Sequence, residues 1–319
     1  MYLTKEYRGE FDMNKILRML SLIVALSLFA AIALCGCSVE NPGGIVVSTQ
    51  GNDSKNEIYI PTEGTTESVV EDLNTIDEQV MVDRDGVKIT AKEYVRDSLF
   101  GEGIKVLVEN TSEKNVGIQC NAVIVNNYMI TDFFVCDVAA GKKSNETIYL
   151  LSTELEAAGI ENIGQVELYF NVYDADTYDT LFETECITVQ TSGFADMDVT
   201  PSDSGVELYN QNGIRIVGKV VDEDSFWGSA VLLYLENNCG ENVYVSCENM
   251  SINGFMVDGY LYSLIYDGKM SIDEITIFQT DLDENNIDTI EEIELSFHVF
   301  EVDTFETVAE TDPISFSVN

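Results

Sequence analysis

His298, the single histidine of the chain, is the first place to look for chemistry. It sits in Ile293-Glu-Leu-Ser-Phe-His298-Val299, where alternation sends Ile293, Leu295, Phe297 and Val299 one way and His298 the other. Base catalysis needs a hydroxyl or thiol within reach of the ring and a carboxylate to orient it, and no spacing marks either, so His298 reads as surface. Asp281-x-Asp283-x-Asn285 opens like a calcium loop, with Glu292 at its twelfth position. Asn286 stands where that loop needs glycine and Asp288 where it needs an apolar residue, so an acidic helical turn is the competing reading. Asp174-x-Asp176 and Glu301-x-Asp303 are turn formers, because a carboxylate accepts a hydrogen bond from backbone two residues on; cation binding is their alternative. Phe100-Gly101 and Trp227-Gly228 each set an aromatic beside a glycine. Such a ring either covers the edge of a core or stacks on a sugar or a protein partner, which makes Phe100 and Trp227 candidate partner contacts.

Cys120, Cys136, Cys186, Cys239 and Cys247 show no C-x-x-C spacing and are odd in number, so neither a zinc site nor a disulfide framework is indicated. Buried free thiols fit better. Phosphate-cradling glycine loops and basic patches are missing from the sequence. No catalytic, metal-binding or cofactor residue is expected, and an enzyme here would need a pair of acids in one cleft.

The elements that hold these residues are declared by an internal repeat. Ile160 to Thr180 recurs 127 positions later as Ile287 to Thr307, with nine of 21 positions identical and no gap. Both copies also share apolar alternation at Ile104, Val106 and Val108 against Val231, Leu233 and Leu235. Val116, Ile118 and Cys120 have the opposite phase to Val123 and Val125, and the second copy slips in the same way between Cys247 and Met250. A phase change needs an extra residue, which predicts a bulge or crossover near Asn121 and Glu248. Asn126-Asn127 and Asn253-Gly254 signal two-residue hairpins. Glu154 to Gly159 and Asp281 to Asn286 suggest a helical turn crossing between sheets. Leu107, Val125, Leu232 and Tyr234 make parts of the nominal outer faces apolar, which either packing between the repeats or an outside partner would cover.

Some seven short strands per repeat predict an all-β chain of two tandem immunoglobulin-like Greek-key β-sandwiches, at 83–191 and 210–319 with a linker at 192–209. The excess of 57 acidic over 16 basic residues, a formal net charge of −41, excludes nucleic acid as a partner and argues against docking on anionic lipid through charge. It suits a solvated surface.

Ahead of the sandwiches, Lys15 and Arg18 precede an apolar run from Met19 to Leu34 that ends in Leu34-Cys-Gly-Cys37-Ser38. That ending resembles the lipobox of bacterial lipoproteins. The resemblance implies a signal peptide over 1–36, with Met13 as an alternative start, and lipid attachment at Cys37. It also implies location at the extracytoplasmic face of the cell membrane. Residues 37–82, with Asn41-Pro-Gly-Gly44 and Gly51-Asn-Asp-Ser54, read as a flexible tether. Asn253-Gly-Phe-Met-Val257, Gly268-Lys269 and Ile293-Glu-Leu-Ser-Phe-His298 further resemble repeats in surface lipoproteins of Clostridia-type bacteria, which are immunoglobulin-like and mostly without assigned function. The expectation is a lipid-anchored, non-catalytic binding or structural module at the cell surface. Its partners would be the membrane, through the anchor, and a surface protein or glycan; a cell-wall glycan or small-ligand receptor is the alternative.

Overall fold

Strands form where apolar residues alternate, and the ladders shift register where that alternation slips. The computed structural model describes residues 73–97, 101–225 and 228–318, all within one compact unit. The first repeat contains β1 (Gln79–Arg84), β2 (Val87–Asp97), β3 (Gly101–Asn110), β4 (Val116–Val125), β5 (Tyr128–Ile130), β6 (Val135–Val138) and β7 (Lys143–Leu151). A helix, Ser152–Ala158, leads to β8 (Gln165–Asp174), β9 (Thr180–Glu183) and β10 (Ile187–Gln190). The second repeat follows the same plan with β11 (Val206–Gln211), β12 (Ile214–Ser225), β13 (Gly228–Asn237), β14 (Val243–Ile252), β15 (Phe255–Met256), β16 (Gly259–Tyr260), β17 (Tyr262–Ile265) and β18 (Lys269–Phe278). The helix Gln279–Glu284 then precedes β19 (Glu292–Glu301), β20 (Thr307–Glu310) and β21 (Ile314–Ser317).

The strand order makes each repeat a Greek-key sandwich. One sheet of the first repeat runs β1-β2-β3-β7, and in the other β8 pairs with β4, β9 and β10 while β4 also pairs with β5 and β6. The chain therefore leaves the first sheet after β3, returns for β7, and crosses again through the helix. This is the immunoglobulin-type alternation. The inner faces share one core, with Ile89, Val106 and Ile148 from one sheet and Ile118, Leu168 and Phe170 from the other all fully buried. The second repeat packs Ile216, Leu233 and Ile275 against Val245, Leu295 and Phe297 in the same way.

The phase slips are β-bulges. Register shifts between Cys120 and Ala122 in β4, and between Glu248 and Ser251 in β14, where Asn249 has φ of 51°. Both hairpin turns have positive φ at both central residues: 47° and 73° at Asn126 and Asn127, 51° and 82° at Asn253 and Gly254. Asparagine is suited to the first position for a second reason. The Asn126 Oδ1 accepts from the backbone N–H groups of Gly164 (3.0 Å) and Gln165 (3.1 Å), and its Nδ2 donates to the Asn162 carbonyl at 2.8 Å. Asn253 repeats this with Glu291, Glu292 and Thr289.

The strands begin earlier than the boundaries read from the sequence. β1 starts at Gln79, within the stretch read as tether, and β11 starts at Val206, within the stretch read as linker. Each is an antiparallel edge strand on β2 or β12.

The two repeats are joined edge to edge. β5 pairs in parallel with β18, Tyr128 opposite Met270 and Met129 opposite Ser271, and the Met270 N–H donates to the Asn127 carbonyl at 3.0 Å. The second sheet of repeat one thus continues into the first sheet of repeat two. Val217, Tyr234 and Met270 of the second repeat are buried against the core of the first, and Val125 is buried too. Packing between the repeats, rather than an outside partner, covers Tyr234. Lys269, from the Gly268-Lys269 turn, donates to Glu167 and to Asn127 Oδ1 across the same junction.

Candidate functional site

Cys37, Phe100 and Trp227 lie outside the described residues. Asp281 and Asp283 lie in the helix Gln279–Glu284, where the Asp281 carbonyl accepts from Asn285 and the Asp283 carboxylate from Gln279. Among the described residues no group of three potential ligands is placed to hold a metal ion. Asp174 closes its hairpin: its Oδ1 accepts from the Asp176 N–H at 3.0 Å, and its Oδ2 faces Lys114 Nζ at 2.8 Å. The lysine and the amide together hold that carboxyl below its ordinary pKa. The five described cysteines are free thiols, of which Cys186 is exposed; burial pushes Cys136 and Cys247 up to about 12.

His298 faces outward on β19, but it is not bare. Its Nε2 lies 2.9 Å from Thr307 Oγ1 and its Nδ1 lies 3.5 Å from Glu248 Oε1. Hydroxyl, imidazole and carboxylate thus stand in the order of a nucleophilic triad. Chemistry does not follow from that order. The carboxylate is beyond a firm hydrogen bond, and the ring lies over a strand paired on both sides, whose N–H groups are spent in the ladder.

What surrounds His298 was not legible in the spacing. On the outer face of the sheet, alternation puts Tyr244 on β14 opposite Phe300 on β19, and Ser246 lies between Tyr262 and His298. The rings pack into a continuous strip. Tyr244 and Tyr262 stack at 4.5 Å between centroids, Tyr244 and Phe300 lie 5.6 Å apart, and Phe300 stacks on Phe305 at 6.1 Å. His298 borders Phe300 at 5.1 Å. Tyr262 is 50% exposed and Phe305 62% exposed, so the strip opens to solvent at both ends. Phe305 sits at the tip of the acidic hairpin with φ of 58°, a left-handed backbone that a bulky side chain seldom takes.

The first repeat lacks the strip. Its residue equivalent to Tyr244 is Gly117, and a Cβ there would meet the Tyr173 ring at 2.2 Å. Tyr173 has folded down onto the strand and stacks on Tyr178, the equivalents of Phe300 and Phe305. Val135 takes the place of Tyr262. A repeat-by-repeat comparison of aromatic residues on outer-face positions was the signal that would have found the strip.

A second feature is concave. A cleft of about 320 Å3 lies where the repeats join, lined among others by Met129, Asp132 and Glu154 from the first and Ser263, Ile272 and Asp273 from the second. Removal from water raises each of the three acids above its own ordinary value, Asp132 to about 6.

No family model matches the chain, and no curated protein matches it. Among solved structures the chain is similar to a Salmonella enterica SafA pilin in complex with the SafB chaperone, with 12% identity over 68% of this chain and 89% of that one. The TM-score is 0.19, too low for any argument to rest on the likeness.

Proposed function

We propose that the protein is a lipid-anchored, extracytoplasmic, non-catalytic binding module that takes its partner on the aromatic strip of the second repeat. The observation that carries this reading is the unbroken run Tyr262–Tyr244–Phe300–Phe305, open to solvent at both ends. Rings bring a large contact area with few rotatable bonds, which is why they dominate binding surfaces. The lipobox pattern around Cys37 supports the anchor, and the tether that follows would hold the sandwiches off the bilayer. Two or more acyl chains make such anchoring stable.

Asp132, Glu154 and Asp273 are all raised by desolvation, so the direction of their shifts does not assign one of them as an acid and another as a base.

A glycan receptor is the second reading. It is favoured by the polar groups set around the strip, since Glu248 and Thr307 border the rings and would accept or exchange sugar hydroxyl hydrogen bonds while the rings stack on apolar sugar faces. The test is pull-down from intact cells by chemical cross-linking, in parallel with pull-down on purified cell-wall glycan. Tyr244→Ala combined with Phe305→Ala should abolish capture in one arm. Unchanged capture in both arms would overturn the strip, and a Trp227→Ala variant would then show whether the contact lies there. Continued acylation of a Cys37→Ala variant, read by mass spectrometry, would overturn the anchor.

A further inference from the structure

The junction between the repeats uses one strand edge from each, and the chain carries the same two edges a second time without pairing them. In the junction β5 of the first repeat, with Glu167 beside it, meets β18 of the second, with Lys269 at its start. The repeat gives each edge an equivalent. β15 corresponds to β5: Phe255 pairs with Ile252 as Tyr128 pairs with Val125, and Glu294 lies opposite Ser251 as Glu167 lies opposite Ile124. β7 corresponds to β18: Lys143 lies opposite Glu109 as Met270 lies opposite Glu236. Among the described residues β7 pairs only with β3, and β15 only with β14.

Burial separates the edge that is covered from the edge that is not. Tyr128 is 2% exposed, whereas Phe255 in the same position is 49% exposed and Met256 beside it 66%. Tyr234 is fully buried, and its equivalent Leu107 is only half-buried. Lys142 and Glu294, the equivalents of Lys269 and Glu167, form no ion pair among the described residues. Because the register of β7 on β3 matches that of β18 on β13, the Lys143 N–H points off the edge as the Met270 N–H does, which donates to the Asn127 carbonyl at 3.0 Å. Such an edge is a template for another strand. Lysines on an edge ordinarily discourage pairing, but Lys143 turns its ammonium to Glu109, and Lys142 has a carboxylate of matching position to meet.

We propose that a second copy of this chain docks head to tail, its β7 edge against the β15 edge of the first, so that the junction within the chain is repeated between chains. Lys142 of one copy then faces Glu294 of the other, and Leu107 and Phe255 take the places that Tyr234 and Tyr128 hold in the junction. The two edges differ, so the contact is heterologous, and each added copy leaves one of each kind open; the assembly grows as a row. It is looser than the junction it repeats, since Gly254 stands where Asn127 accepts from Lys269, and Lys143 stands where Met270 is buried. Self-repulsion between chains of net charge −41 also opposes it, so the row forms at high local concentration. The aromatic strip lies at the other end of β14 and is not part of this contact.

The test mixes heavy-isotope and light-isotope pools of the full chain at high concentration and treats them with a water-soluble carbodiimide, which joins an ammonium and a carboxylate in contact as an amide with loss of water. Mass spectrometry should find Lys142 of one pool joined to Glu294 of the other more than to any other acid, with a ladder of products running past two chains. Phe255→Asp and Met256→Asp should each cut that link about tenfold, because a charge would be buried in the contact. Val220→Asp, comparably exposed on β12, should leave it unchanged. Lys142→Glu and Glu294→Lys should each remove the ladder alone, and mixing the two variants should restore it, since each supplies the charge the other lacks. If the Asp variants do not fold, this exchange between two exposed positions carries the comparison. No link between the pools, a link from Lys142 to acids indiscriminately, or a link indifferent to every variant would mean chance contact and would overturn the proposal. So would a ladder that stops at two chains.

Discussion

The ammonium of Lys269 in the second repeat lies 2.8 Å from each carboxylate oxygen of Glu167 in the first, and both side chains are largely withdrawn from water. The equivalent residues of the other copies, Lys142 and Glu294, are both exposed. A pair that is present once in a duplicated sequence belongs to the junction rather than to the sandwich.

Removing one partner of this pair should therefore cost much more than the same change in the other copy. Glu167→Gln or Lys269→Met should destabilise the protein by about 2–3 kcal/mol, because the remaining charge stays half-buried and unpaired. Lys142→Met should fall within about 0.5 kcal/mol of the parent. Urea midpoints compare them, and equal effects at 269 and 142 would refute the junction role.

Asn110 and Asn237 are expected to be equivalent. Asn110 donates to the carbonyls of Lys114 (2.7 Å) and Val138 (2.8 Å) and accepts from the Ser112 N–H at 3.0 Å. Asn237 does the same with Glu241, Ile265 and Cys239. Both are buried, so Ala at either position strands carbonyl oxygens away from water. Each substitution should cost about 3 kcal/mol. An Asp substitution should be no better, since a carboxylate has no N–H to donate. Thermal melts that show one position tolerant and the other not would contradict the symmetry.

Stability should rise on mild acidification. The Asp132 carboxyl is raised from 3.8 to about 6, and Glu154 and Asp273 are raised beside it. The folded state then holds protons that the unfolded chain has released, so stability falls as pH rises through the interval between those two values. Asp132→Asn should stabilise the protein at pH 7.5 by about 1–2 kcal/mol, read as a higher melting temperature, and have little effect near pH 4. Glu109, Asp174 and Asp203 are shifted the opposite way by Lys143, Lys114 and Arg215, so the stability they confer is lost only at more acid pH. A melting curve that climbs steadily from pH 5 to pH 7.5 would be inconsistent with the desolvated cleft.

The strip makes a prediction by exchange between the repeats. Tyr244→Gly gives the second repeat the residue of the first at that position, and Phe300 should then fold toward the strand as Tyr173 does over Gly117. Loss of binding with a stability cost of about 1–2 kcal/mol is expected, since a partly exposed ring is deleted. Retained binding at full affinity would show that Tyr262 and Phe305 act without it.

Much of the sandwich was legible because it is local. Alternation placed the strands, the slips at Asn121 and Glu248 placed the bulges, and Asn126-Asn127 and Asn253-Gly254 placed the hairpins. β1 was missed because Gln79 to Arg84 is short and its apolar residues, Val80, Met81 and Val82, run consecutively rather than alternating, and only pairing with β2 makes it a strand. Spacing around His298 showed no neighbours because Thr307 and Glu248 reach it across strands rather than along one.

By itself the sequence determined two copies of an all-β unit, their turns and bulges, and an acidic surface, because each depends on residues within a few positions of one another. Only the tertiary structure decided which edge joins which. β18 offers a free edge and β5 supplies a short strand to meet it, and that one pairing buries Tyr234, selects Lys269 over Lys142, and brings Asp132, Glu154, Ser263 and Asp273 to one cleft. Alternation fixes which face a side chain takes, but the partner of that face is set by long-range packing.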